Sequence, residues 1–254
     1  MAVRYERSGA AAILTIDRPE ARNAVDLETA EALRARFREF EADGDARVLI
    51  VTGAGGDAFC AGADLKKIDL RETPEGPMGF TRLVSTKPTV AAIEGWCVAG
   101  GLEIACWCDV RVAAEHSRFG VLNRRWGVPL IDGGTVRLPR IIGLGRALDL
   151  ILTGRDIDAQ EALTMGLVSR VTPHGEALTT ALAMAEVIAS SPWESVVTDR
   201  ASVYAALDMP VARALQFEAQ RPGSVGRLGA QGAARFAGGE GRHGQRGGVR
   251  DARD

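Results

Sequence analysis

Two short apolar runs constrain this chain more than anything else in it: VLIVTG (Val48–Gly53) and TVAAI (Thr89–Ile93), each passing straight into a glycine-rich turn. Neither run alternates apolar with polar, so a strand made from it needs cover on both faces. Helical segments are available to provide that cover. One runs from about Leu27 to Glu41, with Leu33, Phe37 and Phe40 on a single face, and another from Gly101 to about Cys108. A further strand, DVRVA (Asp109–Ala113), follows the second helix, and two β-like runs, Val3–Arg7 and Ala11–Asp17, open the sequence. Buried strands alternating with helices predict an α/β architecture with its ligand site at strand-to-helix turns.

From Pro139 onward the pattern becomes helical. Segments 139–153, 158–166, 176–190, 194–207 and 211–220 are Ala/Leu-rich, with Pro or Gly at their breaks. This predicts three regions: a core over 1–195, a helical C-terminal region over 196–237, and a tail over 238–254. The tail holds six glycines in 17 residues and little that is apolar, a composition that predicts disorder.

Charge and composition exclude several classes of function. A net charge of -2 gives no electrostatic reason to expect nucleic acid or an anionic membrane as partner. No apolar run approaches the roughly 20 residues of a spanning helix, and MAVRYERSGA lacks the form of a secretory signal. The expected location is cytoplasmic. Cys60, Cys97, Cys106 and Cys108 form no CxxC pair, and His116, His174 and His243 are scattered along the chain. Buried reduced thiols and no metal site are the expectation.

The first glycine-rich turn is GAGGDAFCAGADLKK (Gly53–Lys67) and the second EGWCVAGGLEIACWCD (Glu94–Asp109). In the second, Gly100 and Gly101 open a helix whose free N–H groups and positive dipole end face outward. Two such N–H groups aimed at one point stabilise a developing oxyanion. A plain tight turn is the other reading of each stretch. A phosphate cradle is disfavoured, since neither GxxxxGK[ST] nor a clean GxGxxG is present.

DRPEARNAV (Asp17–Val25), AFCAGADL (Ala58–Leu65), AAIEGWCVAGGLEIA (Ala91–Ala105), DGGTVRLPRIIG (Asp132–Gly143) and LTGRDIDAQEALTMGLVSRV (Leu152–Val171) resemble successive blocks of the crotonase family, the enoyl-CoA hydratases and isomerases. The similarity is colinear from about residue 3 to 220. It implies a spiral of ββα units followed by helices that mediate assembly into a homotrimer or a dimer of trimers. By the same resemblance, the N–H groups of Ala63 and Gly100 form an oxyanion hole for an acyl-CoA thioester. Ala61, Asp64 and Leu65 then line the acyl-CoA channel, and Arg22, Ala24 and Val25 lie near the nucleotide end of the coenzyme. Coenzyme A belongs to the substrate, so no separate cofactor is implied.

Glu103 stands about one turn into the helix that Gly100 opens, and it is the only carboxylate between Gly95 and Cys108. The family's hydratases use a glutamate here as acid/base; a surface glutamate near a helix N-terminus is the competing reading. A second family glutamate, four residues after the phenylalanine of RFGVLNRRWG (Arg118–Gly127), is replaced by Asn123, which can hold a water but cannot shuttle a proton. Asp132 is the natural substitute, matching an aspartate of the family's dienoyl-CoA isomerases; it is equally placed to cap the helix that follows. Arg124, Arg125 and Trp126 suit either coenzyme phosphates or an interface. The leading expectation is hydration of a trans-2-enoyl-CoA. A double-bond isomerase follows as the alternative, and a non-catalytic RNA binder, suggested by the single RGG at 246–248, comes last.

Overall fold

The computed structural model of the protein describes residues 2–67, 73–220 and 225–241. The predicted tail from 242 onward, with its RGG and His243, lies outside the described residues.

The chain begins with a hairpin, β1 (Val3–Ser8) and β2 (Ala11–Ile16), then α1 (Leu27–Ala42) and the VLIVTG strand β3 (Val48–Gly53). The helix starts where Asp26 caps it, accepting the N–H of Thr29 at 3.0 Å, and it buries the expected Leu33, Phe37 and Phe40. After β3 come β4 (Ala58–Cys60), the TVAAI strand β5 (Thr89–Ile93), β6 (Trp96–Val98) and α2 (Gly100–Trp107). The third pass repeats the theme with β7 (Val110–Ala114) and β8 (Arg118–Gly120). A 3-10 turn (Leu122–Trp126), α3 (Gly134–Ile142) and α4 (Leu144–Thr153) complete it. Next come β9 (Asp156–Asp158), α5 (Ala159–Met165), β10 (Arg170–Thr172) and α6 (Ala177–Ser190).

Each pass lays one strand in each of two sheets. The larger has the order β1-β2-β3-β5-β7-β10, parallel from β2 onward; the smaller has the order β4-β6-β8-β9. This is the expected α/β spiral. Every residue of β5, and all of β3 except its terminal glycine, is buried, as their unbroken apolar sequences require. The short strands of the smaller sheet, three residues each, were not expected from the sequence. The segment expected as one helix over 139–153 is two helices, because the chain turns at Gly143 (φ +84°).

Residues 1–185 form one compact unit and 186–254 a second, with α6 running across the boundary. The second unit contains α7 (Trp193–Ala206), α8 (Val211–Ala219) and α9 (Val225–Ala237). Among the described residues, no helix is long and apolar enough to cross a membrane. All four cysteines are buried and unpaired, and burial drives the Cys60 thiol up to about 12 and that of Cys106 to about 11.

Two packing features position the site. Phe37 of α1, Phe80 and Trp107 of α2 form an aromatic cluster with ring centroids 4.7–5.8 Å apart, and Trp107 Nε1 donates to the carbonyl of Leu83 at 2.8 Å. The segment around Met78–Leu83 is thereby fixed against the N-terminal helices. Gly101 lets α2 lie directly on β4: a Cβ there would sit 2.0 Å from the carbonyl oxygen of Cys60. The contact is with backbone, so no rotamer change relieves it.

Candidate active site

A cavity of about 190 Å³ opens where the ends of β4 and β6 meet the start of α2. Ala61, Ala63, Leu65, Gly100, Glu103, Asn123 and Asp132 all line it, so seven residues named from sequence come together.

The backbone at the mouth is arranged by two local devices. Ala63 makes an isolated parallel bridge with Val25. Val25 N–H donates to Gly62 O at 2.8 Å, and Asp64 N–H to Val25 O at 2.9 Å. Alternation along extended backbone then turns the Ala63 N–H away from Val25. On the other side, Ala99 adopts φ 53°, ψ -126°, a conformation costing a non-glycine residue about 1–3 kcal/mol. It is held there by bonds on both sides: its N–H donates to Gly120 O at 3.0 Å, and its carbonyl accepts the Glu103 N–H at 3.2 Å. The result is a helix that starts abruptly at Gly100 with its first N–H free. Among the described residues, no hydrogen bond uses the N–H of either Ala63 or Gly100.

Glu103 is buried, at 3% exposure. Its Oε1 accepts two backbone N–H groups, from Asp132 at 2.8 Å and Gly134 at 2.7 Å, which leaves Oε2 as the oxygen a bound molecule meets. Burial raises its pKa to about 7; the charge of Asp132 pushes the same way, while the bonds from Gly134 and Asp132 pull it down. A carboxyl poised near neutral pH can both take and return a proton. It is no surface glutamate.

Asp132 is buried as well, and its side chain does not cap α3. Its Oδ1 instead accepts the Met78 N–H at 3.0 Å and the Thr81 hydroxyl. The start of α3 is satisfied by Glu103, through Gly134 N–H. Burial raises the pKa of Asp132, against the lowering effect of Thr81 and Met78. Asn123 Nδ2 donates to Val128 O at 2.8 Å, while its Oδ1 is buried with no partner. Since Nδ2 must face the Val128 carbonyl, Oδ1 is a committed acceptor awaiting a donor.

Four expected binding residues do not line the cavity. Asp64 is engaged by Arg18, whose Nη2 lies 3.0 Å from Oδ2, and Ala24 and Val25 are buried in the packing beneath. Arg22 is exposed, in a left-handed turn (φ 51°), with its carbonyl accepting the Ala61 N–H. The residue that organises this segment is Asn23, fully buried and bonded to Arg18 N, Ala54 O and Ala58 O. Sequence reading also passed over Met78 and Thr81; no local signal ties either to a residue fifty positions away. Trp126, left open between ligand and interface, lines the cavity while remaining 72% exposed.

A sequence profile of the enoyl-CoA hydratase/isomerase family matches residues 6–228. The chain belongs to that family. Among its relatives is the enoyl-CoA hydratase EchA19 of Mycobacterium tuberculosis, 41% identical over 197 residues, 73% of this chain and 74% of the relative. The short-chain-enoyl-CoA hydratase of Clostridium acetobutylicum is 36% identical over 223 residues, 85% of each chain. The crystal structure of the enoyl-CoA hydratase EchA1 from Mycobacterium marinum superposes with a TM-score of 0.88 at 32% identity, covering 93% of this chain and 96% of that one. Membership of the enoyl-CoA hydratase/isomerase family and the crotonase-type fold are therefore as the sequence blocks implied.

Proposed function

We propose that the protein hydrates a trans-2-enoyl-CoA to the 3-hydroxyacyl-CoA, with Glu103 as the single acid/base. The observation that carries this reading is the Glu103 carboxyl itself: buried, tuned to about 7, and presenting one free oxygen beside the two free N–H groups. Glu103 takes a proton from water as its oxygen bonds to C3. The C2=C3 electron pair moves through the thioester and leaves negative charge on its oxygen, where the Ala63 and Gly100 N–H groups hold it. Glu103 then returns the proton to C2, so the elements of water are added and the carboxylate is regenerated. Asn123 Oδ1 accepts the second hydrogen of the attacking water. Leu65 and Ala61 flank the acyl-CoA, and the reading includes a cytoplasmic homotrimer or dimer of trimers. The stripe Leu144, Leu148, Leu152, exposed along one face of α4, suits such an assembly.

The test is loss of the conjugated thioester absorbance of crotonyl-CoA and a medium-chain 2-enoyl-CoA. Turnover of either supports hydration. If both are untouched while a 3-enoyl-CoA is isomerised, the second reading takes its place, a one-carboxylate isomerase moving a proton between C2 and C4. Asn123 is the residue that favours that reading.

Asp132 acts on Glu103 through its charge and its backbone N–H. Asp132→Asn is expected to keep hydration within about tenfold of wild type and to move the acid limb of kcat/KM to lower pH, because burial still raises Glu103 but the Asp132 charge that adds to it is gone. If Asp132 shuttles a proton itself, the rate falls instead by the roughly 10²–10⁴-fold of a lost general acid/base. Rate against pH for the two proteins separates the roles.

A further inference from the structure

On the larger sheet, β5, β7 and β10 are parallel neighbours, and Ile93 pairs with Ala113, and Thr172 with Ala114. Their C-terminal ends therefore lie side by side, and the three turns leaving them are brought to one place. Each turn supplies one residue: Glu94 directly after β5, His116 two residues after β7, and His174 two residues after β10. The His116 and His174 rings sit 4.3 Å apart between centroids, and His116 Nε2 lies 3.8 Å from Glu94 Oε2. One ligand-type atom from each of the three lies within 4.8 Å of the others. None of the three lines the cavity that holds Glu103.

We propose that Glu94, His116 and His174 form a binding site for a divalent transition-metal ion, with Zn²⁺ the best chemical match. Two imidazoles and one carboxylate are a donor set that zinc accepts in three-ligand sites, with water completing the tetrahedron. The carboxylate is already oriented: Glu94 Oε1 accepts the Ala177 N–H at 3.0 Å and Oε2 the Gly175 N–H at 3.2 Å, where α6 begins. Anchoring of this kind is what fixes a ligating carboxylate. Oε2 keeps a second lone pair for the ion. Ligand atoms around zinc, each at about 2.0–2.2 Å, sit closer together than these three do. The adjustment falls on two exposed side chains, the imidazoles. His116 Nε2 meets Gly56 O at 3.2 Å, a single contact that ion binding replaces. The bound ion ties the start of α6 to the turns after β5 and β7, so it adds to stability and leaves turnover untouched.

The test is calorimetric titration of the full-length, untagged, chelator-treated protein with ZnCl₂, together with thermal melts. The wild type is expected to bind one equivalent saturably and to melt at a higher temperature in excess zinc. His116→Ala and His174→Ala should each weaken binding by at least tenfold, since even an outer-shell partner is worth about 10–100-fold. The double variant should lose both the isotherm and the zinc-induced shift while melting like wild type without zinc, and His243→Ala should change nothing. No saturable binding by wild type, or a wild-type isotherm in the double variant, overturns the proposal.

Discussion

Glu103→Gln is expected to lower kcat for enoyl-CoA hydration by on the order of 10³-fold, with KM changed little. The substitution is nearly isosteric. The glutamine carbonyl takes the place of Oε1 and accepts the same two N–H groups, from Asp132 and Gly134, so the start of α3 keeps its partner. What disappears is the ability to take a proton from water and return it to carbon. The oxyanion donors at Ala63 and Gly100 remain, so the residual rate should stay above the uncatalysed one. A variant with unchanged kcat would remove Glu103 from the chemistry and with it the proposed mechanism.

The same variant carries a stability prediction of opposite sign. Glu103 is raised from 4.5 to about 7 in the folded protein, chiefly by burial. Between those values the folded state holds a proton that the unfolded chain releases, so stability declines as pH rises through this window and the full penalty is felt above pH 7. Glu103→Gln removes that penalty. The variant should therefore be more stable than wild type at pH 8, by on the order of 1–3 kcal/mol, and indistinguishable from it near pH 4. Denaturant unfolding at the two pH values measures the difference. Equal stability of the two proteins at pH 8 would mean that Glu103 is not held at a raised pKa. Lost turnover together with gained stability is the signature of a residue kept for chemistry.

Much of this site is legible in the sequence, and particular residues show why. The α1 periodicity of Leu33, Phe37 and Phe40, and the unbroken apolar strands β3 and β5, are local signals, and the fold obeys them. Glu103 stood out as one carboxylate in an apolar helix. Its tuning did not, because the amides of Asp132 and Gly134 that hold it come from about thirty residues away. The role of Asp132 in holding Met78 and Thr81, and that of Asn23 in tying the turn after β3 to the start of β4, are long-range for the same reason. The strands β4, β6, β8 and β9, three residues each, are too short to show a period. Most telling are His116 and His174, scattered in sequence yet adjacent in space because β7 and β10 are neighbours. Cysteine and histidine spacing along a chain finds metal sites built within one segment; it has no power over those assembled by sheet order.

Gly134→Ala is expected to lower kcat by roughly 10²-fold while leaving the fold in place. A Cβ at Gly134 would stand 2.9 Å from both Cγ and Oε1 of Glu103, and 3.1 Å from Leu130 Cδ1. Both are side-chain contacts, and the least constrained of the atoms involved belong to Glu103, so the clash is relieved by moving its carboxylate. Alanine suits the first turn of α3 at least as well as glycine does. The helix therefore gains in propensity while its N-terminal amide loses its acceptor, and the two effects on stability oppose each other. Catalysis has no such compensation. A displacement of about 1 Å in a catalytic group can cost on the order of 10²-fold in rate, and the shift separates Oε2 from the point where water must be activated beneath the enolate. KM should change far less than kcat, because the Ala63 and Gly100 donors do not move. The contrast with Gly101 sharpens the test: there the obstructing atom is the backbone oxygen of Cys60, and Gly101→Ala should lower melting temperature rather than kcat alone. A Gly134→Ala enzyme with wild-type kcat would show that Glu103 reaches its substrate from a different position than the one the two amides define.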